Sequence, residues 1–286
     1  MSSDELLGEG KLGEALVALQ DQIRKDPSDA KLRTFLFQLM AVEGNWERAL
    51  TQLNVAAELD PAALAMAQMY REAIRCELLR KEIFAGRHTP IVFGEPSEWI
   101  GLLLESLRLT ASADFEAAGK LRSQAFEAAP ATSGKIDGQS FEWIADGDSR
   151  LGPVIEAVVN GRYYWVPIQN IRQIDLEEPA DLRDVVWTPV HFMWKNGGEV
   201  VGVIPTRYAG SESSEDSSIR LARKTIWQDE AGDAYTGLGQ RMLVTDIGDF
   251  SLMDVRKIEF DVGESAVNDS ELAAENDLTE DPQLVY

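Results

Sequence analysis

Along the first 130 residues apolar side chains return every three or four positions. LRTFLFQLMAV (32–42) sets Leu32, Phe35, Leu36, Leu39 and Met40 on one broad face, the spacing of an amphipathic helix. Helix-like segments follow at 62–84 and 97–109. Two stretches copy one another: GKLGEALVALQDQIRKDP (10–27) and GNWERALTQLNVAAELDP (44–61) align at an offset of 34, pairing Gly10 with Gly44, Ala15 with Ala49, Leu16 with Leu50, Leu19 with Leu53 and Asp26-Pro27 with Asp60-Pro61. Thirty-four residues is the tetratricopeptide period. Glycine permits a tight turn, alanine permits close helix packing, and Asp-Pro ends one helix while Pro suits the first turn of the next. A weaker third copy, ADFEAAGKLRSQAFEAAP (113–130), lies one residue beyond twice that period from the second. The pattern predicts a TPR-like α-helical domain over 1–130.

Beyond Pro130 the period falls to two. After a polar bridge, ATSGKIDGQ, the apolar runs become short, β-branched and aromatic, which is strand composition. PVIEAVVNGRYYWVP carries Asn160-Gly161 between two such runs, and VHFMWKNGGEVVGVIP carries Asn196-Gly197-Gly198; Asn-Gly between apolar runs is a hairpin signal. Further strands are expected at 171–176, 223–227, 239–246 and 255–260. The fold class is therefore α+β, an N-terminal TPR-like helical-repeat domain followed by a mainly antiparallel β-rich, small barrel-like domain over 136–260. Residues 261–286 hold eight Asp or Glu and no Lys or Arg, the composition of a disordered acidic tail, and SESSEDSS (211–218) is expected to form a mobile loop.

Charge narrows the partners. The 286 residues carry a formal charge of −22, which repels phosphate backbones, and with no basic patch segregated along the chain nucleic acid is excluded. One cysteine, Cys76, excludes an internal disulfide framework and a zinc site built on paired thiolates. No run approaches the ~18 apolar residues of a membrane span, and the start MSSDELLGEGKLGEAL has no apolar signal core. A cytoplasmic protein is expected.

The stretch richest in chemistry is FEWIADGDSRLGP (141–153), with Glu142, Asp146, Asp148 and Arg150 within nine positions. It begins like a calcium loop, but Arg150, Leu151, Gly152 and Pro153 stand where further oxygen ligands belong. A nucleophile–base dyad needs a histidine beside Ser or Cys, and His88 and His191 have no evident partner. GLGQR (237–241) lacks the Lys-Ser/Thr of a phosphate loop. The residues leave two readings: a rigid turn in which Asp and Ser cap amides and Arg150 pairs with a carboxylate, or a carboxylate- or metal-dependent hydrolase using Glu142, Asp146 and Asp148 with Arg150. No cofactor is implied.

FAGRHTPIVFGEPSEWIGLLLESLRL (84–109), IDGQSFEWIADGDSRLGPVIEAVVNGRYYWVP (136–167), PADLRDVVWTPVHFMW (179–194) and IPTRYAGSE (204–212) closely resemble the TagJ/ImpE (SciE-type) family of type VI secretion accessory proteins. The resemblance implies a non-enzymatic cytoplasmic protein that binds the small sheath subunit, TssB, and is linked to the ClpV ATPase that disassembles contracted sheath. It brings no catalytic motif. A helical-repeat groove would take an amphipathic helix and a sheet edge an extended segment. Trp99, Phe141, Trp143, Arg150, Tyr163, Tyr164 and Trp165 are the candidate partner-binding residues, because aromatics and arginine dominate binding hot spots. Alternate members of Tyr163-Tyr164-Trp165 must face opposite sides of a strand, so at least one is expected in the core.

Overall fold

The computed structural model describes residues 2–95, 97–230 and 234–261. Its first part consists of α1 (Ser3–Gly8), α2 (Leu12–Lys25), α3 (Ala30–Val42), α4 (Trp46–Leu59), α5 (Leu64–Phe84), α6 (Glu98–Ala111) and α7 (Phe115–Ala128). The repeat has a stereochemical basis. Gly10 and Gly44 adopt φ of +77° and +69°, and at the matching place in the third copy Ala113 adopts +62°, a left-handed conformation that costs a residue with a Cβ about 1–2 kcal/mol. One position on, Asn45 and Asp114 accept hydrogen bonds from the backbone N–H groups of Arg48 and Ala117 and start α4 and α7. Ala15, Ala49 and Ala118, each at most 1% exposed, are where neighbouring helices close on one another.

The second part holds β2 (Gly134–Ile136), β3 (Gln139–Phe141), β4 (Ile144–Asp146), β5 (Val154–Val159), β6 (Arg162–Pro167), β7 (Ile171–Leu176), β8 (Trp187–Trp194) and β9 (Glu199–Pro205). After a short helix, α8 (Ser217–Arg220), come β10 (Thr225–Glu230), β11 (Ala234–Gly239), β12 (Met242–Thr245), β13 (Gly248–Ser251) and β14 (Lys257–Phe260). One strand lies among the helices: β1 (Ile91–Val92) pairs parallel with β6. The large sheet runs β1-β6-β5-β9-β8-β7-β14-β2-β3, all antiparallel except β1 with β6, and β10-β11 and β13-β12-β4 form two smaller sheets. Asn160 and Gly161, at φ +49° and +73°, make the tight turn between β5 and β6. The expected polar bridge is itself a hairpin, with Asp137-Gly138 turning β2 into β3.

Two cores meet at the large sheet. All six residues of β5 are buried, because its alternate side chains serve different sides. Val154 and Val158 join the core shared with the helices, while Ile155, Ala157 and Val159 join a second core closed by β4, β12 and β14. Strand β6 does the same, with Tyr163 and Trp165 toward the helices and Tyr164 and Val166 away.

The helix face turned toward the sheet is already filled. A single 3-10 turn, Leu182–Val185, packs on α3. Trp187 stands 5.9 Å from Trp46 and 5.4 Å from Tyr70, ring centre to ring centre, and the Arg183 guanidinium covers Tyr70 at 4.9 Å. The repeat groove expected to receive a partner helix is there occupied by the chain's own residues 182–187.

SESSEDSS, expected as a mobile loop, instead forms a 3-10 turn (Ser211–Ser213) and the start of α8. Ser211 is fully buried; its hydroxyl donates to the Tyr208 carbonyl at 2.6 Å and accepts from Gly239 N–H at 2.8 Å. The expected tail beyond Asp261 lies outside the described residues.

Candidate partner-binding site

FEWIADGDSRLGP has an inner side and an outer side. On the inner side Asp146 and Asp148 are 3% and 0% exposed. Asp146 pairs with Arg241 and accepts the Asp148 N–H at 2.8 Å. Asp148 accepts Arg150 N and Nε at 2.9 and 2.8 Å and Gly237 N at 3.0 Å. Arg241, fully buried, also reaches Glu156 on β5 and donates to the Pro205 carbonyl. Glu156 is held from the helical side as well, by Arg80 of α5 through Nε at 2.6 Å and Nη2 at 2.9 Å. Tyr163 donates to Glu156, and Trp165 Nε1 donates to the Tyr163 hydroxyl at 2.9 Å. Glu77, one turn before Arg80, accepts from Trp187 Nε1 at 3.1 Å. Nearby, Arg207 spans to the Val42 carbonyl on α3 at 2.9 Å.

Buried charges need partners that offset their lost hydration, and these have them. Burial would raise the Glu156 carboxyl, but Arg80 and Arg241 with the hydrogen bonds from Arg80 and Tyr163 bring it down to about 2. Burial raises Asp146 to about 6 against the pull of Arg241, and the carboxylates of Asp148 and Glu156 push the same way. Arg241 serves two acids, and Glu156 has a second guanidinium where Asp146 does not. Asp146 is therefore the first of the pair to take a proton as pH falls. Glu77 is also raised, by burial first, with Arg80 opposing. The arrangement joins helices to sheet through charge; the turn reading of the motif holds for its inner side.

The outer side is apolar. Gly147 and Gly152 are seats for aromatic rings: a Cβ on Gly147 would stand 2.6 Å from the Trp227 ring, and one on Gly152, which has φ +54°, would overlap the Phe126 ring of α7. Between the end of α7 and this segment lies a groove of about 410 Å³ lined by Phe126, Pro130, Trp143, Ala145, Pro153 and Val244, among others. Trp143 and Phe126 stand on its lips 42% and 38% exposed. Beyond Gly147, Trp227 and Tyr235 of the β10–β11 hairpin continue the exposed aromatic surface, and Ser149 ties the hairpin down by exchanging hydrogen bonds with Tyr235 at 2.9 and 3.0 Å.

The candidate residues separate on this geometry. Phe141, Trp99, Tyr163 and Trp165 are 3%, 4%, 1% and 0% exposed, so burial in the two cores removes them from the surface a partner meets. Arg150 is mostly covered, bound to Asp148 with its guanidinium 4.8 Å from the Phe84 ring centre. Tyr164 is half-buried against Phe93. Trp143 alone of the seven is open. Glu142 is exposed, unlike the buried Asp146 and Asp148, and its N–H donates to Asp246 at 2.7 Å. His191 lies near Asp175 (3.7 Å) and Glu199 (3.3 Å) on neighbouring strands. Among the described residues no group of three or more His, Cys, Asp or Glu is placed to hold a metal ion, and no helix is long and apolar enough to cross a membrane. Arg80, Glu156, Arg241, Phe126 and Trp227 were not among the candidates. The one signal for them was Glu156, a lone charge inside the apolar run VIEAVV.

Residues 138–259 match the family model of the ImpE protein, and residues 6–72 match a tetratricopeptide repeat model. The type VI secretion system accessory component TagJ of Pseudomonas aeruginosa is 51% identical over 261 residues, covering 91% of this chain and 92% of that protein. The chain belongs to the TagJ/ImpE family of type VI secretion accessory components. A crystal structure of a protein from Vibrio parahaemolyticus shares the fold at a TM-score of 0.83 and 30% identity, covering 93% of this chain and 99% of that one. The TagJ/ImpE family match contains β4, β5 and β12, so the buried ion network on the sheet side falls within it, while Arg80 and Phe126 come from helices that precede it.

Proposed function

We propose that the chain is a non-enzymatic, cytoplasmic adaptor of the type VI secretion system that binds the small sheath subunit, TssB-like, and through it is linked to sheath disassembly by the ClpV ATPase. The observation that carries this reading is the state of the acid-rich motif. Asp146 and Asp148 are buried and committed to Arg241, Arg150 and backbone amides, while Glu142 is exposed, so two of the three acids are already spent on structural partners and are not free for a substrate. What the motif does present outward is an aromatic-lined apolar groove, the surface of a protein that binds another protein. The family membership names the machine in which that partner is sought.

The test is a titration of the purified full-length chain against the small sheath subunit, alone and joined to its large partner, with peptides tiling the small subunit in a second series. A saturable complex in the micromolar range or tighter is expected, and adding the ATPase should give a ternary species or a competition. Absence of any complex with sheath subunits at about 100 µM, a concentration at which millimolar-range contacts begin to be missed, would overturn the assignment.

A further inference from the structure

We propose that the groove between α7 and residues 143–153 is a docking site for an amphipathic helix whose apolar stripe is flanked by Lys or Arg. The inference deepens the adaptor reading above and rests on it only for the identity of the protein that supplies the helix.

The groove's own chemistry sets the stripe. Its lining is apolar, with the one charged member, Asp146, turned inward to Arg241. Its lining carries two half-exposed rings, Trp143 and Phe126: Phe126 rests on Gly152, and beside Trp143 the backbone is held by the Asp246 carboxylate, which accepts the N–H groups of Glu142 and Trp143 at 2.7 and 3.5 Å. Pre-set aromatic anchors around an apolar slot are what a helix face with side chains at i, i+3/i+4 and i+7 fills.

Backbone bonding favours a helix over an extended segment. Strand β4, which forms one wall, is paired with β12 along one edge, and on the other its Asp146 N–H already donates to the Gly152 carbonyl at 2.7 Å. An added strand would find that position taken, whereas a helix satisfies its own backbone and presents only side chains.

The rim sets the flanking charge. Glu127 follows Phe126 and Glu142 precedes Trp143, and Asp246 accepts the backbone N–H groups of Glu142 and Trp143; all three acids are exposed. No Lys or Arg lines the groove. An anionic rim around an apolar slot, on a chain of charge −22, selects cations and raises their encounter rate. The same field disfavours the chain's own acidic C-terminal residues and a second copy of the chain as occupants.

The experiment uses the full-length chain and two fluorescent helical peptides of matched Leu stripe, one flanked by Lys and Arg, the other by Glu. The cationic peptide is expected to bind and the acidic one not to. Trp143→Ala and Phe126→Ala, both at half-exposed positions and checked for an unchanged melt, should each weaken binding roughly tenfold, the usual loss at an aromatic anchor. The joint reversal Glu127→Lys with Glu142→Lys should weaken it further and flatten its salt dependence. Val201→Ala, an exposed position outside the groove lining, should leave it unchanged. Equal binding of the cationic peptide to native chain and groove variants would show mere adsorption to an acidic protein and overturn the proposal. So would a large gain in affinity on deleting 262–286, which would make those residues the occupant, or self-association lost with Trp143→Ala, which would make it a second copy. Running the small sheath subunit against the same variants separates the two claims. If it binds native chain and Trp143→Ala alike, the groove proposal fails and the adaptor reading stands. If only the cationic peptide binds, and in a groove-dependent way, the groove stands and the sheath assignment fails.

Discussion

Glu156→Gln is the substitution with the largest expected effect for the smallest change in shape. The carboxylate is fully buried between Arg80, which grips it through two nitrogens, and Arg241, with the Tyr163 hydroxyl as a further donor. Glutamine keeps one accepting oxygen and puts an NH₂ group against a guanidinium, so Arg80 and Arg241 together lose one of their counter-charges and one donor meets another donor. Removing one member of a buried pair costs about 3–5 kcal/mol, and because Glu156 serves two arginines the loss should lie near ~5. In a chain of this size that is a fall in melting temperature of about 10–20 °C. Urea unfolding followed by fluorescence of the buried tryptophans provides the measurement, with Glu105→Gln as comparison. Glu105 pairs with Arg108 in the open, where solvent screening leaves an ion pair contributing little to stability. The gap between native chain and Glu156→Gln should also close on acidification. Glu156 is held down to about 2, so its contribution is present above the ordinary carboxylate range and lost as pH falls through about 4.5 toward 2. A loss below about 1 kcal/mol at neutral pH, within the range of a surface pair, would refute the view that this carboxylate joins the helices to the sheet.

The neighbouring acid gives the opposite sign. Asp146 is raised from 3.8 to about 6, so between those values the folded chain holds a proton that the unfolded chain has released, and its contribution to stability falls as pH rises through that window. Asp146→Asn lacks the step; relative to the native chain its unfolding free energy should rise by ~3 kcal/mol from about pH 4 to about pH 6.5, and a difference that stays flat across denaturant melts at those pH values would contradict the order of protonation argued here. Gly152→Ala should cost about 1–3 kcal/mol, because it joins a left-handed φ of +54° to the Phe126 ring. Gly138→Ala, at φ +81° with open space around it, should cost only about 1 kcal/mol; equal losses would remove the ring seat as an explanation for Gly152.

What the sequence made legible was everything recorded in local spacing. The 34-residue offset located the helix pairs, the Asn-Gly pair placed the β5–β6 turn, and the expected strand at 171–176 is β7 residue for residue. Strand alternation also split Tyr163 and Trp165 from Tyr164. Alternation says which side a residue faces, not whether that side is covered, and for Tyr163 and Trp165 the cover comes from α5, which no period in β6 announces. The ion network was illegible for a related reason: Arg80 meets Glu156 across 76 residues of chain and Arg241 meets Asp146 across 95. FEWIADGDSRLGP read in isolation showed its acids and hid their bases. Its glycines looked like turn residues, and they are, but Gly147 and Gly152 also carry Trp227 and Phe126, rings that nothing nearby in the sequence identifies.

The position of β14 has a consequence for how the chain is made. It is not an edge strand: it lies between β7 and β2, so residues 257–260 close a sheet whose first large-sheet hairpin partner was synthesised more than a hundred residues earlier. Until they leave the ribosome, β2–β3 has no neighbour on one side, β7 exposes an unpaired edge, and the core that Ile258 and Phe260 complete stands open. Unpaired edges and open apolar cores are where nascent chains aggregate. The helical repeats, whose contacts are local, can form while translation continues, but the buried face of α5, with Glu77 and Arg80, must wait for Glu156, Trp187 and Arg241. Nascent-chain protection should therefore be gained late and in one step, and a premature stop before Lys257 should yield a chain retained by chaperones rather than a shortened folded protein.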